Sequence, residues 1–179
     1  MADRVGTASA LTVFTRVLPG EVDALEAYLE ALPVGADSPL ARLDTLHLSR
    51  IQIFRALVHQ GPAQKHADEL RHAHLLFTST VDGDVDPYLD ALAARVPEAD
   101  GWWGRCAGYP GRSDPDAFRA WIHAHRVRTS LFASAMPRAT VADVLQAVAL
   151  RQRVLDFAIA AQGLDAEQLQ QRFRAEFST

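Results

Sequence analysis

Two histidines, His72 and His74, stand one residue apart in RHAHLLFTSTVDGD, residues 71–84, ahead of an apolar run and an Asp- and Gly-rich turn. On a β-strand successive residues face opposite sides, so both rings of a His-x-His pair leave the same face. That is a metal-ligand spacing for zinc, iron or copper, with a third ligand still needed. The same residues also read as a single working His74, acid–base or anchor, with His72 a solvated residue where the strand starts. His59 and His66 lie just before the strand and are within chain reach of such a site. His47 has the wrong parity unless a bulge near Ser49 flips it. A second pair, His123 and His125, falls on an expected helix, where positions two apart do not share a face. One of them could serve as an axial haem ligand, the alternative being two solvated helix residues.

Strand parity groups further residues with His74. Ala73, Leu75, Phe77 and Ser79 form a small, apolar set suited to packing under helices. His74 and Thr78 belong to the other set. On the preceding strand, if Ile51 and Ile53 face the helices, Arg50 and Gln52 face the same way as His74 and Thr78. A helix-free face bearing Arg, Gln, His and Thr beside Leu and Phe has apolar walls and a few polar anchors, as a ligand site requires. The segment GWWGRCAGYPG, residues 101–111, is expected to be a fourth strand with bends. Trp103, Arg105 and Tyr109 would then share one parity, as an aromatic wall with an anion anchor. The equal alternative is an aromatic core strand whose Arg105 reaches solvent. Cys106 is a nucleophile candidate without an identifiable base, and a lone free Cys is more often simply buried.

The elements that must position these groups are legible in the pattern. Residues 10–17 and 45–58 read as strands, and residues 21–32 between them as a helix with Val22, Leu25, Leu29 and Leu32 at helical spacing. Residues 71–80 are the third strand. Asp86–Pro87 and Asp114–Pro115 each read as an N-cap followed by Pro at N1, launching helices to about Val96 and through 116–126. Residues 129–136 read as a fifth strand. Thr140 and Asp143 approximate a capping box before the strongest helix, stopped by Gly163, and Asp165 caps a last helix carrying Leu169 and Phe173. The expected order is β-α-β-β-α-β and then α-β-α-α. That is an α+β fold whose first six elements match the ferredoxin-like split βαβ unit, an antiparallel sheet with helices on one face. One domain over 1–179 is expected, with the ferredoxin-like unit at about 10–111 and an extension or partial second unit at about 112–179.

Composition narrows the function classes. Hydrophobic residues make up 49% and charged residues 22%, ordinary values for a globular chain. The net charge of −4 argues against a general nucleic-acid binder. Nearly all positive charge is arginine, with Lys65 the only lysine, which suits anionic ligands but also follows from a G- and C-rich genome. One cysteine excludes an intrachain disulfide, and no signal-like or membrane-spanning apolar stretch is evident, so a cytoplasmic location is expected. There is no P-loop, no Gly-x-Gly-x-x-Gly, no Gly-x-Ser-x-Gly and no Cys-x-x-Cys.

The element order, with HLSRIQIF, LLFTSTVDGDVDPYLDAL and GRCAGYP in series, resembles poorly characterised bacterial ferredoxin-like proteins of the dimeric α/β-barrel superfamily. That superfamily includes antibiotic-biosynthesis monooxygenases, dye-decolourising peroxidases and chlorite-dismutase-like haem proteins. The resemblance covers roughly residues 10–137. The peroxidases' Gly-x-x-Asp-Gly signature is missing, since no Gly stands three residues before Asp82. The resemblance implies a small-molecule oxidoreductase or oxygenase, acting without a cofactor or with haem, and a homodimer. The expected site is His74 as catalytic group, with Arg50, Gln52, Thr78, Trp103, Arg105 and Tyr109 binding substrate. The rival readings are a non-catalytic ligand-binding or dimerisation protein, whose sheet face is the interface, and a haem-binding protein.

Overall fold

Alternation along one strand organises the sheet. In β2 (Ala8–Arg16), Leu11, Val13 and Thr15 are buried on one side, and Thr12, Phe14 and Arg16 are more exposed on the other. The structure is a computed structural model and describes residues 3–57, 61 and 70–177. Around β2 stand β1 (Arg4–Val5), β3 (Leu46–Phe54) and β4 (His74–Asp82), in the order β1-β2-β4-β3, all neighbours antiparallel. Strands β2 and β3 therefore run parallel on either side of β4. Helix α1 (Val22–Glu30) belongs to the connection between them, and two 3-10 turns at Gly35–Asp37 and Pro39–Arg42 lead into β3.

The core lies on one face only. Leu11, Val13, Leu75, Phe77 and Val81 from the strands are fully buried there. Above them pack Leu25 of α1, Tyr88, Leu89 and Leu92 of α2 (Val85–Arg95), Trp102 and Trp103 of α3 (Ala99–Trp103), and Phe118 and Ile122 of α4 (Pro115–Ala124). Trp103 sits at its centre, its ring 5.0 Å from that of Phe77 and 5.6 Å from that of Phe118. Cutting Trp103 back to Ala should cost about 3–5 kcal/mol. Gly101 lets α3 approach α1, since a Cβ there would stand 2.0 Å from the Tyr28 ring.

Three expectations change. Residues 101–111 are not a fourth strand: Ala99–Trp103 form a short helix, and the two tryptophans enter the core together. Only a single bridge, Cys106 to Val17, remains of the expected pairing. Residues 129–136 are not a strand either, and Leu131 and Met136 are largely exposed. The reason is the edge of β2. It is already engaged by β1, by the Val13–Arg126 bridge with Val127 N–H donating to the Thr12 carbonyl at 2.8 Å, and by Ala107 N–H donating to the Arg16 carbonyl at 2.9 Å. Three short segments stand where one strand was expected. Helix α2 starts two residues earlier than expected, at Val85 after Asp84, with Pro87 inside its first turn. The Asp114 cap is as expected, its carboxylate accepting from the N–H groups of Asp116 and Ala117.

By contacts the chain divides into Met1–Thr140 and Val141–Thr179. The second unit holds α5 (Val141–Ala160) and α6 (Ala166–Phe177). Asp165 caps α6 as a full capping box: its carboxylate accepts from the N–H groups of Glu167 and Gln168, and its own N–H donates to the Gln168 side chain. No described helix is long and apolar enough to cross a membrane.

Candidate functional site

The helix-free face is a grid of side chains set by strand register. Arg16, His74 and Phe54 form one row across β2, β4 and β3; Phe14, Leu76 and Gln52 the next; Thr12, Thr78 and Arg50 the third. Neighbours in a row are about 4.8 Å apart, and rows about 6.7 Å apart. Four of the sequence-predicted site residues, Arg50, Gln52, His74 and Thr78, thus share one face. Phe14, Arg16 and Phe54 join them.

The chemistry of the grid is mixed. The His74 ring stacks on Phe14 at 4.6 Å and 4° between planes, and Phe14 meets Phe54 edge-on at 6.0 Å. The His74 Nδ1 atom is buried without a hydrogen-bond partner. Among the described residues no carboxylate orients this imidazole, unlike His47 and His123, which pair with Asp82 and Asp86. Among the described residues Arg16 and Arg50 form no ion pair, whereas Arg4, Arg42, Arg55 and Arg95 are each held by a carboxylate. Arg16 and Arg50 stand at opposite corners, with Cα atoms roughly 16 Å apart by strand spacing. An anionic group at either corner would meet an uncommitted guanidinium, beside an aromatic and aliphatic floor.

The remaining predicted residues lie elsewhere. Trp103 is fully buried against Phe77, on the core side. Arg105 lies over the Tyr28 ring at 5.2 Å, donates to the Gly101 carbonyl, and has Glu21 at 3.5 Å. The Tyr109 hydroxyl donates to Asp100 at 2.6 Å, and burial first, then this carboxylate, push its pKa up. These three are a structural cluster among the helices and not a wall of the open face. Cys106 is buried and accepts from the Thr15 hydroxyl at 3.3 Å. Burial raises its thiol pKa, the wrong direction for a nucleophile.

His72 is exposed in a bend before β4 begins at His74, so the pair does not leave one strand face. A bulge does lie between Leu46 and Leu48, and His47 reaches Asp82 at 2.7 Å. But Asp82 stands eight residues along β4 from His74, about 26 Å away, so His47 cannot complete a site with His74. His59 and His66 lie outside the described residues. Among the described residues no group of three His, Cys, Asp or Glu is placed to hold a metal. His123 Nε2 lies 2.7 Å from Asp86, in a cleft of about 310 Å³ lined by Asp3, Arg4, Asp84 and Arg126 among others, a charged lining unsuited to a porphyrin. His125 donates through Nδ1 to the Trp121 carbonyl at 2.8 Å and packs on the Trp121 ring at 4.6 Å. His74 lies with its ring flat against Phe14.

Sequence reasoning overlooked Thr12, Phe14 and Arg16. Their signal was present: Leu11, Val13 and Val17 alternate with them, and the apolar set faces the core. Comparison with protein-family models, curated proteins and solved structures finds no match.

Proposed function

We propose that the protein binds a small, flat, anionic or enolic molecule on the open sheet face. The observation that carries this reading is the convergence of Arg50, Gln52, His74 and Thr78 with Phe14, Phe54 and Arg16. The aromatic pair offers a stacking floor, the two guanidinium groups hold negative charge, and the buried Nδ1 of His74 has no hydrogen-bond partner among the described residues. In an enzyme, His74 would move a proton on the bound molecule, with Arg50 stabilising the oxygen on which charge develops. The resemblance in element order supports an oxidoreductase or oxygenase on a ferredoxin-like sheet, and the split order of β2, β4 and β3 is what favours that architecture. The test uses 2-naphthoate, a planar aromatic carboxylate, in calorimetric titration. Arg50→Ala and His74→Ala should each weaken binding at least about tenfold without unfolding the protein. Unchanged affinity in both variants would sink the assignment.

A second reading, a face covered by another protein surface as in a dimeric barrel, is favoured by Leu48, 63% exposed at the β3 side. It predicts that Leu48→Arg changes the oligomeric state. The ligand reading predicts an unchanged mass and altered naphthoate binding.

A further inference from the structure

Helices α5 and α6 touch through an aromatic cluster: the Phe157 ring lies 5.8 Å from Phe173 and 5.3 Å from Phe177. Arg153 lies over Phe177 at 5.3 Å and bonds Glu176 at 3.2 Å. Yet no described residue of either helix is buried. A helix pair without an interior is marginal in water.

Helix α5 carries two apolar stripes. Leu150, Val154, Phe157 and Ala161 face the groove shared with α6. Leu145, Val148, Leu155 and Ile159 recur at steps of three, seven and four, and Val141 precedes them by four. With Gln152 at the one intervening position, this is a continuous heptad seam of two facing rows. At about 100° per residue it lies on the far side of α5 from the groove. Leu145 is 63%, Val148 59% and Ile159 69% exposed. A helix apolar on two sides belongs inside a bundle.

We propose that α5 pairs along this seam with α5 of a second copy, each flanked on its other side by its own α6. Gln152 argues for a second copy over an unrelated apolar surface. Its amide donates to Asp156 at 2.9 Å, leaving an N–H and the carbonyl oxygen for another partner. An apolar partner would bury these unmet. In a parallel, in-register pair Gln152 meets Gln152 of the other copy, and such a polar core position specifies register and two-strandedness. Two 20-residue helices are about 30 Å long and bury on the order of 1,000 Å² in total, the lower end for a specific interface. The association is therefore expected to be dynamic, with a dissociation constant in the micromolar range.

Sedimentation equilibrium of the full chain from about 1 to 100 µM tests this. The expected result is a monomer–dimer equilibrium that Leu155→Glu abolishes, leaving circular dichroism and naphthoate affinity unchanged. Should Leu155→Glu unfold the unit, Gln152→Leu decides: it should tighten association at least about tenfold or raise its order. A wild-type chain monomeric at 100 µM overturns the proposal. So does a dimer that survives Leu155→Glu and breaks with Phe54→Glu on the sheet, or one indifferent to Gln152→Leu. The proposal and the ligand reading fail separately, because mass reports one and naphthoate affinity the other.

Discussion

The two faces of one sheet differ in what their residues touch. Leu75 and Phe77 are wholly enclosed by helices, and Ser79 nearly so. Leu76 and Thr78, between them in sequence, keep solvent contact on the other side. The strand is the same, and only parity separates a residue that holds the fold from one free to meet a ligand. The core face is filled by apolar side chains meeting one another. The open face pairs an aromatic patch with guanidinium groups that no carboxylate among the described residues neutralises, an arrangement useful to a ligand.

The comparison breaks first on stability. Phe77→Ala should lose about 3–5 kcal/mol in urea unfolding, whereas Thr78→Ala, one residue on, should lose under about 1 kcal/mol. Similar losses at both positions would mean that the open face is covered in solution. Next comes His74→Ala, which removes a ring stacked on Phe14. It should cost about 1 kcal/mol of stability, a smaller loss than the roughly tenfold drop in naphthoate affinity. Cys106 sharpens the core side. Its thiol is neutral and buried, with a pKa raised by burial above the ordinary 9.0. The contribution to stability is present in full below that ordinary value and is lost as pH rises through the raised one. At pH 8, iodoacetamide should modify native Cys106 at least about tenfold more slowly than the unfolded chain. The smallest effect belongs to the surface. Arg42→Ala removes the 2.8 Å pair with Glu98, whose carboxyl is held below its usual pKa chiefly by that hydrogen bond. The folded pKa is depressed, so the pair stabilises above the ordinary carboxyl value and fades as pH falls through the lowered one. Its loss at pH 7 should move the urea unfolding midpoint least of all these variants.

How far the molecule was legible depended on whether local signals decided the outcome. Parity in 46–54 and 74–82 is local, and it separated Arg50, Gln52, His74 and Thr78 from the core residues correctly. Asp114 and Asp165 mark helix starts because their carboxylates meet orphan N–H groups within three residues. GWWGRCAGYPG misled because its composition suits a strand, while its pairing was decided by a distant edge. Strand β2 had room there only for a bridge at Cys106, and the tryptophans gained more from a short helix that buries both. Residues 129–136 failed for the same reason, since strand formation needs a free partner and not propensity alone. Arg16 went unread because its place in the site depends on β2 lying beside β4, a nonlocal fact.

The most direct test of the open face is a heteronuclear NMR titration of the isotope-labelled full chain with 2-naphthoate, followed at backbone amides and at arginine Nε. The expected result is a set of saturable shifts at Phe14, Arg16, Arg50, Gln52, His74 and Thr78, with the amides of Phe77 and Trp103 nearly still. Shifts confined to the apolar groove of α5 and α6, or none at millimolar naphthoate, would contradict a ligand site on the sheet.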